Sequence, residues 1–305
     1  EARTVVLGAV TQMGNEVFKN CSEITSVTFG DGTTTVGAYA FYSAKRNSAL
    51  TTVILPDSVE SIGDYAFYNL VAVKSINLSN VTTIGNYSFY NTLSLANVDI
   101  ANVQTIGDYA FASSAARTVT LTGVRQIGKH AFDGAPLTEV TFGDNLAYIG
   151  DYAFANTKLT TVTLNGGFDN VTTDYRWNEY DEKGRVSKER VRKVSAYGQG
   201  AFADIKTLTE IKANGDNIFD VDGVLYARTA NGSVLLQYPA GKAGTSYTTI
   251  DGTVAIAASA FQRVSKLNSV ELVYTVKTIG SYAFFGSSVK NYTFNSVQAP
   301  VLEST

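Results

Sequence analysis

Apolar residues recur along the chain in short patterns that repeat at a nearly fixed distance. The first pattern is Ile-Gly-x-Tyr-Ala-Phe, and successive copies in the middle of the chain lie 21 or 22 residues apart, ending at Phe67, Phe89, Phe111, Phe132 and Phe154. Further copies lie at 13–18, 36–41, 256–261 and 279–284, with a weaker copy at 197–202. A period of roughly 20–29 residues indicates a solenoid, in which each repeat forms one coil.

A second pattern follows each phenylalanine by about ten residues. It alternates apolar and polar positions and is rich in Thr and Val, as in Leu-Thr-Thr-Val-Thr-Leu at 159–164. Alternation of this kind predicts a short strand with one buried face. One strand in the same place in every repeat predicts a parallel sheet.

A single repeat cannot bury its own Ile, Phe, Val and Leu side chains, whereas stacked repeats place like against like. The predicted fold is therefore a solenoid with one short parallel strand per repeat of about 22 residues, forming a curved sheet. We expect the phenylalanines to stack into a spine on the opposite side, within short helical or 3-10 turns.

These motifs resemble those of the BspA-like leucine-rich repeat family of bacterial surface and secreted proteins. The stretch IGDYAFYNLVAVKSINL at 62–78 follows the family pattern closely, and residues 222–261 resemble its repeat variant that carries a hairpin. The resemblance covers nearly all of the chain. It implies the leucine-rich repeat solenoid fold and an extracellular or cell-surface role in interaction rather than catalysis.

The spacing of the copies predicts one solenoid domain over residues 1–305. Within it we expect regular repeats at 1–164, a hairpin insertion at about 165–195, variant repeats with a hairpin at about 196–250 and regular repeats at 251–305. The last copy passes through a strand at 289–294 and stops before another Ile-Gly pair. We therefore expect the solenoid to be truncated there, with further chain or a partner covering that end.

Composition excludes several classes of partner. The 305 residues carry a net charge of −3, without the concentration of Lys and Arg that marks nucleic-acid binders. No apolar run approaches the ~20 residues that cross a bilayer. We expect no nucleic-acid partner, no membrane insertion within this chain and a monomeric state. We also expect that an export signal has been removed from, or lies outside, this sequence.

The single His and single Cys limit the chemistry that is possible. A disulfide within the chain and His- or Cys-rich metal sites are excluded. His130 stands where other repeats have tyrosine, so it is predicted to belong to an aromatic ladder rather than to a catalytic site. Cys21 falls in a slot that otherwise holds small or apolar residues, which predicts a buried thiol. No catalytic residue, cofactor or metal is expected.

Two surfaces remain as candidates for binding. The outward strand positions are mostly hydroxyl-bearing, which suits a protein or glycan partner and equally suits a sheet that is merely kept soluble. The stretch at 174–194 predicts an inserted β-hairpin that holds the only Trp; it either contacts a partner or folds back to shield a junction between coils. The candidate residues are Thr118, Thr120, Thr138, Thr141, Thr161 and Thr163 on the sheet and Tyr175, Arg176, Trp177 and Tyr180 on the hairpin.

The sequence thus predicts a non-catalytic interaction module of a secreted or surface-displayed protein, with an adhesion-type role and an extracellular protein or glycan as partner. Two alternatives stay open. One is a structural spacer within a larger surface protein. The other is a carbohydrate-active enzyme that uses two of the 27 acidic residues.

Overall fold

The structure is a computed structural model that describes residues 3–45, 48–165, 168, 173–180, 186–194, 196–295 and 300–302. For 173–180 and 186–194 it describes the backbone alone. The strands within these residues are β1 Arg3–Val6, β2 Ile24–Thr28, β3 Thr35–Val36, β4 Thr52–Ile54, β5 Ser61–Ile62, β6 Thr83–Ile84, β7 Asn97–Val98, β8 Thr105–Ile106, β9 Thr118–Leu121, β10 Gln126–Ile127, β11 Glu139–Phe142, β12 Tyr148–Ile149, β13 Thr161–Leu164, β14 Thr173–Tyr180, β15 Val186–Val194, β16 Glu210–Ala213, β17 Ile218–Val221, β18 Val224–Thr229, β19 Gly232–Gln237, β20 Ser246–Thr248, β21 Thr253–Ile256, β22 Ser269–Leu272, β23 Thr278–Ile279, β24 Asn291–Phe294 and β25 Val301–Leu302.

The chain forms a parallel β-solenoid with repeats of about 22 residues, as predicted. Most regular coils contribute two strands rather than the single strand expected from the sequence, and the coil between β5 and β6 has an isolated bridge at Ser75 in place of the second. The strands outside the Ile-Gly motifs form parallel sheets in the orders β1-β2-β4 and β7-β9-β11. The two-residue strands at the Ile-Gly motifs form a six-stranded sheet in the order β3-β5-β6-β8-β10-β12. A two-residue strand is too short to leave an alternating signal, which is why the sequence pattern did not reveal it.

The turn between the two strands of a coil is not helical, and this corrects the predicted helical or 3-10 turns. The described residues contain no helix of either kind. Most regular turns instead hold two residues of positive φ four positions apart, such as Tyr65 at 56° with Asn69 at 61° and Tyr87 at 54° with Asn91 at 58°. Because a right-handed helix requires negative φ at consecutive residues, these positions prevent helix formation.

The phenylalanine spine is confirmed and forms the centre of the core. From Phe41 to Phe202 the rings of neighbouring coils stack nearly parallel, with centroids 5.0–5.6 Å apart. Phe111 is fully buried between Phe89 and Phe132. Like residues therefore pack on like residues along the stacking axis, which is what allows a short repeat to bury its apolar side chains.

The Ile-Gly and acidic positions of the motif hold successive coils together. A Cβ added to Gly107 would lie 2.6 Å from the backbone nitrogen of Asn86 in the preceding coil, so only glycine allows this close approach. Beside it, Asp64 Oδ1 accepts a hydrogen bond from the Asn86 backbone N–H and Asn86 Oδ1 accepts one from the Asp108 N–H, each at 2.7 Å. Asp or Asn after the Ile-Gly pair therefore joins one coil to the next.

The repeat is interrupted after β13, and the inserted hairpins are confirmed. Strands β14 and β15 pair antiparallel, while the predicted turn between them lies outside the described residues. After β16, which pairs parallel with β13, strands β17, β18 and β19 form an antiparallel meander. Strand β19 then pairs parallel with β21, and regular stacking resumes.

Candidate interaction surface

The outward residues of strands β9, β11 and β13 form the candidate surface predicted from the sequence. The alternation of these strands buries Val119, Leu121, Phe142, Val162 and Leu164 on the core side. The intervening positions point outward and are exposed. We call the five exposed threonines among them the threonine face: Thr118, Thr120, Thr141, Thr161 and Thr163.

The strand register arranges these residues in two rows that run across the coils. In one row Thr118 lies beside Glu139, and in the other Thr120 lies beside Thr141. Thr161 and Thr163, in the next coil, pair with Glu210 and Lys212 of β16. Since neighbouring strands are about 4.8 Å apart, each row presents a side chain at that interval.

The hydroxyls of the threonine face are available to a partner. None of the five hydrogen-bonds to another described residue. Thr138 behaves differently, because it precedes β11 and its hydroxyl donates to the Arg117 backbone oxygen at 3.3 Å. Five of the six sheet candidates therefore form one surface of free hydroxyls, and Thr138 lies at its edge.

Charged residues border the threonine face without giving it one dominant sign. Glu139 lies within the first row, and Lys212 Nζ lies 3.4 Å from Glu210 Oε2 at the far end. A surface of hydroxyls with mixed charges is suited to hydrogen bonding rather than to long-range electrostatic attraction.

The hairpin candidates lie on β14. The backbone register places Trp177 opposite Arg190, Tyr175 opposite Arg192 and Arg176 opposite Val191, with a bulge before Tyr180. The side chains of this segment lie outside the described part of the structure. The part played by Tyr175, Arg176, Trp177 and Tyr180 in binding stays a prediction.

His130 lies in the aromatic ladder, the column of stacked rings formed by the tyrosine position of successive Ile-Gly-x-Tyr-Ala-Phe motifs. Its position in the repeat predicted this. Its ring stacks between Tyr109 and Tyr152, with centroids 4.6 and 5.3 Å away. Its Nδ1 is 2.8 Å from Asp133 Oδ2, and Asp133 Oδ1 accepts a hydrogen bond from the Asn156 amide at 2.8 Å. The ring and its carboxylate partner are thus held within the stack.

The tyrosines of the ladder adopt a backbone conformation that bulky residues rarely adopt. Tyr65, Tyr87 and Tyr109 have φ of 54–56°, which costs a residue with a Cβ about 1–2 kcal/mol. Stacking on both neighbours, worth about 0.5–1.5 kcal/mol per pair, offsets this cost. Partial burial, with nearby ionisable groups adding to it, raises the pKa of all three hydroxyls above 10.

Cys21 is exposed, which corrects the predicted buried thiol. The same slot is buried in later coils, for example at Leu70 and Ala135. Cys21 lies in the first Phe-containing coil, where less of the core surrounds the slot. Among the described residues, no group of three or more His, Cys, Asp or Glu could hold a metal ion, and no helix is long and apolar enough to cross a membrane.

Comparison with known proteins identifies the family. The model of the BspA type leucine rich repeat region matches residues 4–118, 104–223 and 242–302, in six copies. The chain therefore belongs to the BspA type leucine-rich repeat family, as the sequence motifs indicated. No curated protein matches the chain.

Solved structures of bacterial repeat proteins have the same fold. A leucine rich cell surface protein from Faecalibacterium prausnitzii A2-165 is 23% identical with a TM-score of 0.65, over 96% of this chain and 69% of that one. The pneumococcal vaccine antigen PcpA is 20% identical with a TM-score of 0.60, over 96% of this chain and 66% of that one. A leucine-rich repeat protein from Bacteroides ovatus ATCC 8483 is 19% identical with a TM-score of 0.54, over 98% of this chain and 82% of that one.

Proposed function

We propose that this chain is a non-catalytic interaction module of a secreted or cell-surface protein. It binds a polar macromolecule, a protein or a glycan, through the threonine face, with the inserted hairpin as an additional contact. The observation that carries the proposal is the set of five exposed hydroxyls on adjacent strands that have no hydrogen-bond partner among the described residues.

The chemistry of the surface supports this proposal. Solenoids present extended surfaces of regularly spaced side chains, on which many weak polar contacts act together. A hydroxyl both donates and accepts, so a row of threonines matches the hydroxyls and amides of a glycan or a peptide backbone. Membership of a family with surface-exposed relatives agrees with an extracellular location.

The first experiment identifies the partner. The chain is labelled and applied to an array of glycans and extracellular-matrix proteins, and positive spots are confirmed by calorimetric titration. Saturable binding supports the proposal. Absence of any ligand supports the structural spacer, and turnover of an arrayed glycan that is abolished by changing one or two acidic residues supports the carbohydrate-active enzyme.

The second experiment locates the binding surface. The triple variant Thr120→Val, Thr141→Val and Thr163→Val removes one row of hydroxyls while keeping the shape and strand preference of the side chains. We expect at least tenfold weaker binding, since each net hydrogen bond contributes about 0.5–1.5 kcal/mol. Two controls should bind normally: the corresponding Thr→Ser triple variant, which keeps the hydroxyls, and Thr83→Val with Thr105→Val, which changes the two-residue strands instead.

The hairpin is tested separately. Residues 174–193 are replaced by a short Gly-Ser linker, and folding is checked by circular dichroism. If the hairpin contributes contacts, the folded deletion variant binds the array partner more weakly, because Trp, Tyr and Arg dominate interface energetics. Unchanged affinity assigns the hairpin to shielding the junction and leaves the threonine face as the proposed site.

A further inference from the structure

A cleft of about 330 Å³ opens where the repeat is interrupted. Its walls come from three separate parts of the chain: 156–158, Asp204 with Lys206 and Thr207, and Arg263. It shares no residue with the threonine face or with the hairpin. Its volume is at the lower end of small-ligand sites, which measure about 300–1,000 Å³.

The cleft exists because one coil is shortened between its strand and its spine aromatic residue. In a regular coil five positions separate the strand isoleucine from the phenylalanine, as from Ile256 to Phe261. In the variant coil, Leu235 pairs with Ile256 and Tyr238 stacks on Phe261, so only three positions separate them. The two missing residues leave a gap between the coils on either side.

Residues on the two sides of the gap consequently meet across it. Gly200 occupies the tyrosine position of the preceding coil, and even a Cβ at this position would lie only 2.9 Å from Tyr152 Cε1 and 3.2 Å from Ser259 Cβ. The Tyr152 hydroxyl hydrogen-bonds with Ser259 Oγ at 3.0 Å, and the Gln262 amide donates to Asp204 Oδ2 at 3.2 Å. These hydrogen bonds connect the coils on the two sides of the cleft.

The cleft is positively charged, although the chain as a whole is negative. Lys158, Lys206 and Arg263 line it, with Asp204 as the one acidic residue. All three basic side chains are exposed, and none donates a hydrogen bond to another described residue. Lys158 and Lys206 also have no acidic partner among the described residues. Their N–H donors are therefore free.

Asp204 positions Arg263 without occupying its donors. The Asp204 Oδ1 atom is buried and accepts no hydrogen bond, and Arg263 Nε lies 3.6 Å away. This is close enough for attraction between the charges but longer than a hydrogen bond. The guanidinium is thus held at the cleft and keeps its N–H groups for a ligand.

We propose that this cleft binds the carboxylate-bearing ring of an acidic sugar, with Lys158, Lys206 and Arg263 binding the carboxylate. Every lining side chain is polar, including Asn156 and Thr207, and no lining residue is aromatic. This favours a hydroxylated ring over a protein partner, since protein interfaces are commonly anchored by Trp and Tyr in well-packed pockets. Phosphate sites are commonly built on helix N-termini, and the described residues contain no helix. This proposal is independent of the function proposed for the threonine face.

Calorimetric titration at low salt tests the proposal. The probes are an oligosaccharide of galacturonic acid, the matched neutral galactose oligosaccharide, inorganic phosphate and a Glu-rich peptide. We expect the uronate probe to bind at least tenfold more tightly than the others. Lys206→Gln and Arg263→Gln should each weaken it about tenfold, since each removes a charged hydrogen-bond donor to the carboxylate.

Matched variants control for the loss of charge. Lys277→Gln and Arg125→Gln each remove one exposed positive charge away from the cleft and should leave the affinity for the uronate probe unchanged. The threonine-face triple variant should bind the uronate probe normally, which separates this test from that of the proposed function. The inference is overturned by absence of uronate binding, by equal binding of phosphate or of the peptide, or by equal loss in the control variants.

Discussion

The regular coils at 62–164 and the interruption at 197–261 contain versions of the same motif, but the first stacks without gaps and the second opens a cleft. In the regular coils each aromatic ring stacks on its counterpart, and the turn residues of every coil are equivalent. At the interruption Gly200 replaces a ladder ring, Tyr238 takes the place of a spine phenylalanine, and a charged cleft opens. Repetition provides stability and a uniform outer surface, whereas its interruption opens a local cleft.

The tyrosines of the two regions also differ in burial. The ladder tyrosines Tyr65 and Tyr87 keep part of their rings in contact with solvent. Tyr226 and Tyr238 are almost fully buried, and the Tyr226 hydroxyl hydrogen-bonds with that of Tyr247. The core at the interruption therefore includes buried tyrosines beside phenylalanine, and Tyr238 stacks on Phe261.

The largest effect is expected from the regular spine. Phe111→Ala should lower the free energy of unfolding by about 3–5 kcal/mol, because it leaves a cavity between two stacked rings. Chemical denaturation of the purified variant measures the change. Ser113→Ala, on the surface of the same coil, serves as a control, with a loss of about 1 kcal/mol or less expected. A loss below about 1 kcal/mol for Phe111→Ala would contradict the central place of the spine.

Glycine at the Ile-Gly motif gives a direct comparison of the two regions. Gly107→Ala should cost about 1–3 kcal/mol, because the new Cβ overlaps the backbone of the preceding coil. At the interruption the chain already has Ala257 in this position, following the shortened coil. Ala257→Gly should therefore change the thermal midpoint only slightly. If Gly107→Ala and Ala257→Gly shifted the thermal midpoint by similar amounts, the spacing of the coils would not differ between the two regions.

Alkaline titration distinguishes the two kinds of tyrosine. Burial raises the pKa of Tyr238 to about 12, with Asp222 adding to the effect, so the folded state favours its neutral form. The stability from this residue is complete below pH 10 and is lost as the pH rises from 10 through about 12. Tyrosinate absorbance should show a late ionisation phase to which Tyr238 contributes. Tyr238→Phe should remove part of the late phase, and an unaltered late phase would contradict the assignment.

The smallest effect is expected for His130→Tyr. Tyrosine occupies the same position with nearly the same φ in neighbouring coils, so thermal stability and binding should change little. Thermal melts and titration with the array partner measure both. Loss of binding in this variant alone would give His130 a functional role that the ladder does not explain.

The places of repeated residues could be predicted from the sequence, because residues at equivalent positions of successive repeats stack on one another in the solenoid. The spine at Phe111, the ladder position of His130 and the outward direction of Thr120 all follow from register. The non-helical turn could not be predicted, since tyrosine at positive φ opposes the local preference of the residue. The cleft was missed because Lys158, Lys206 and Arg263 meet only through a coil whose shortening is visible once the strands are paired.

The affinity of the array partner for the Thr120→Val, Thr141→Val and Thr163→Val variant tests the central claim most directly. These hydroxyls have no protein partner among the described residues, so removing them should leave the free energy of unfolding within about 0.5 kcal/mol of the original. We expect calorimetric titration to show at least tenfold weaker binding by this folded variant, and normal binding by the Thr→Ser variant. Equal affinity in all three proteins would contradict the assignment of the threonine face as the binding surface.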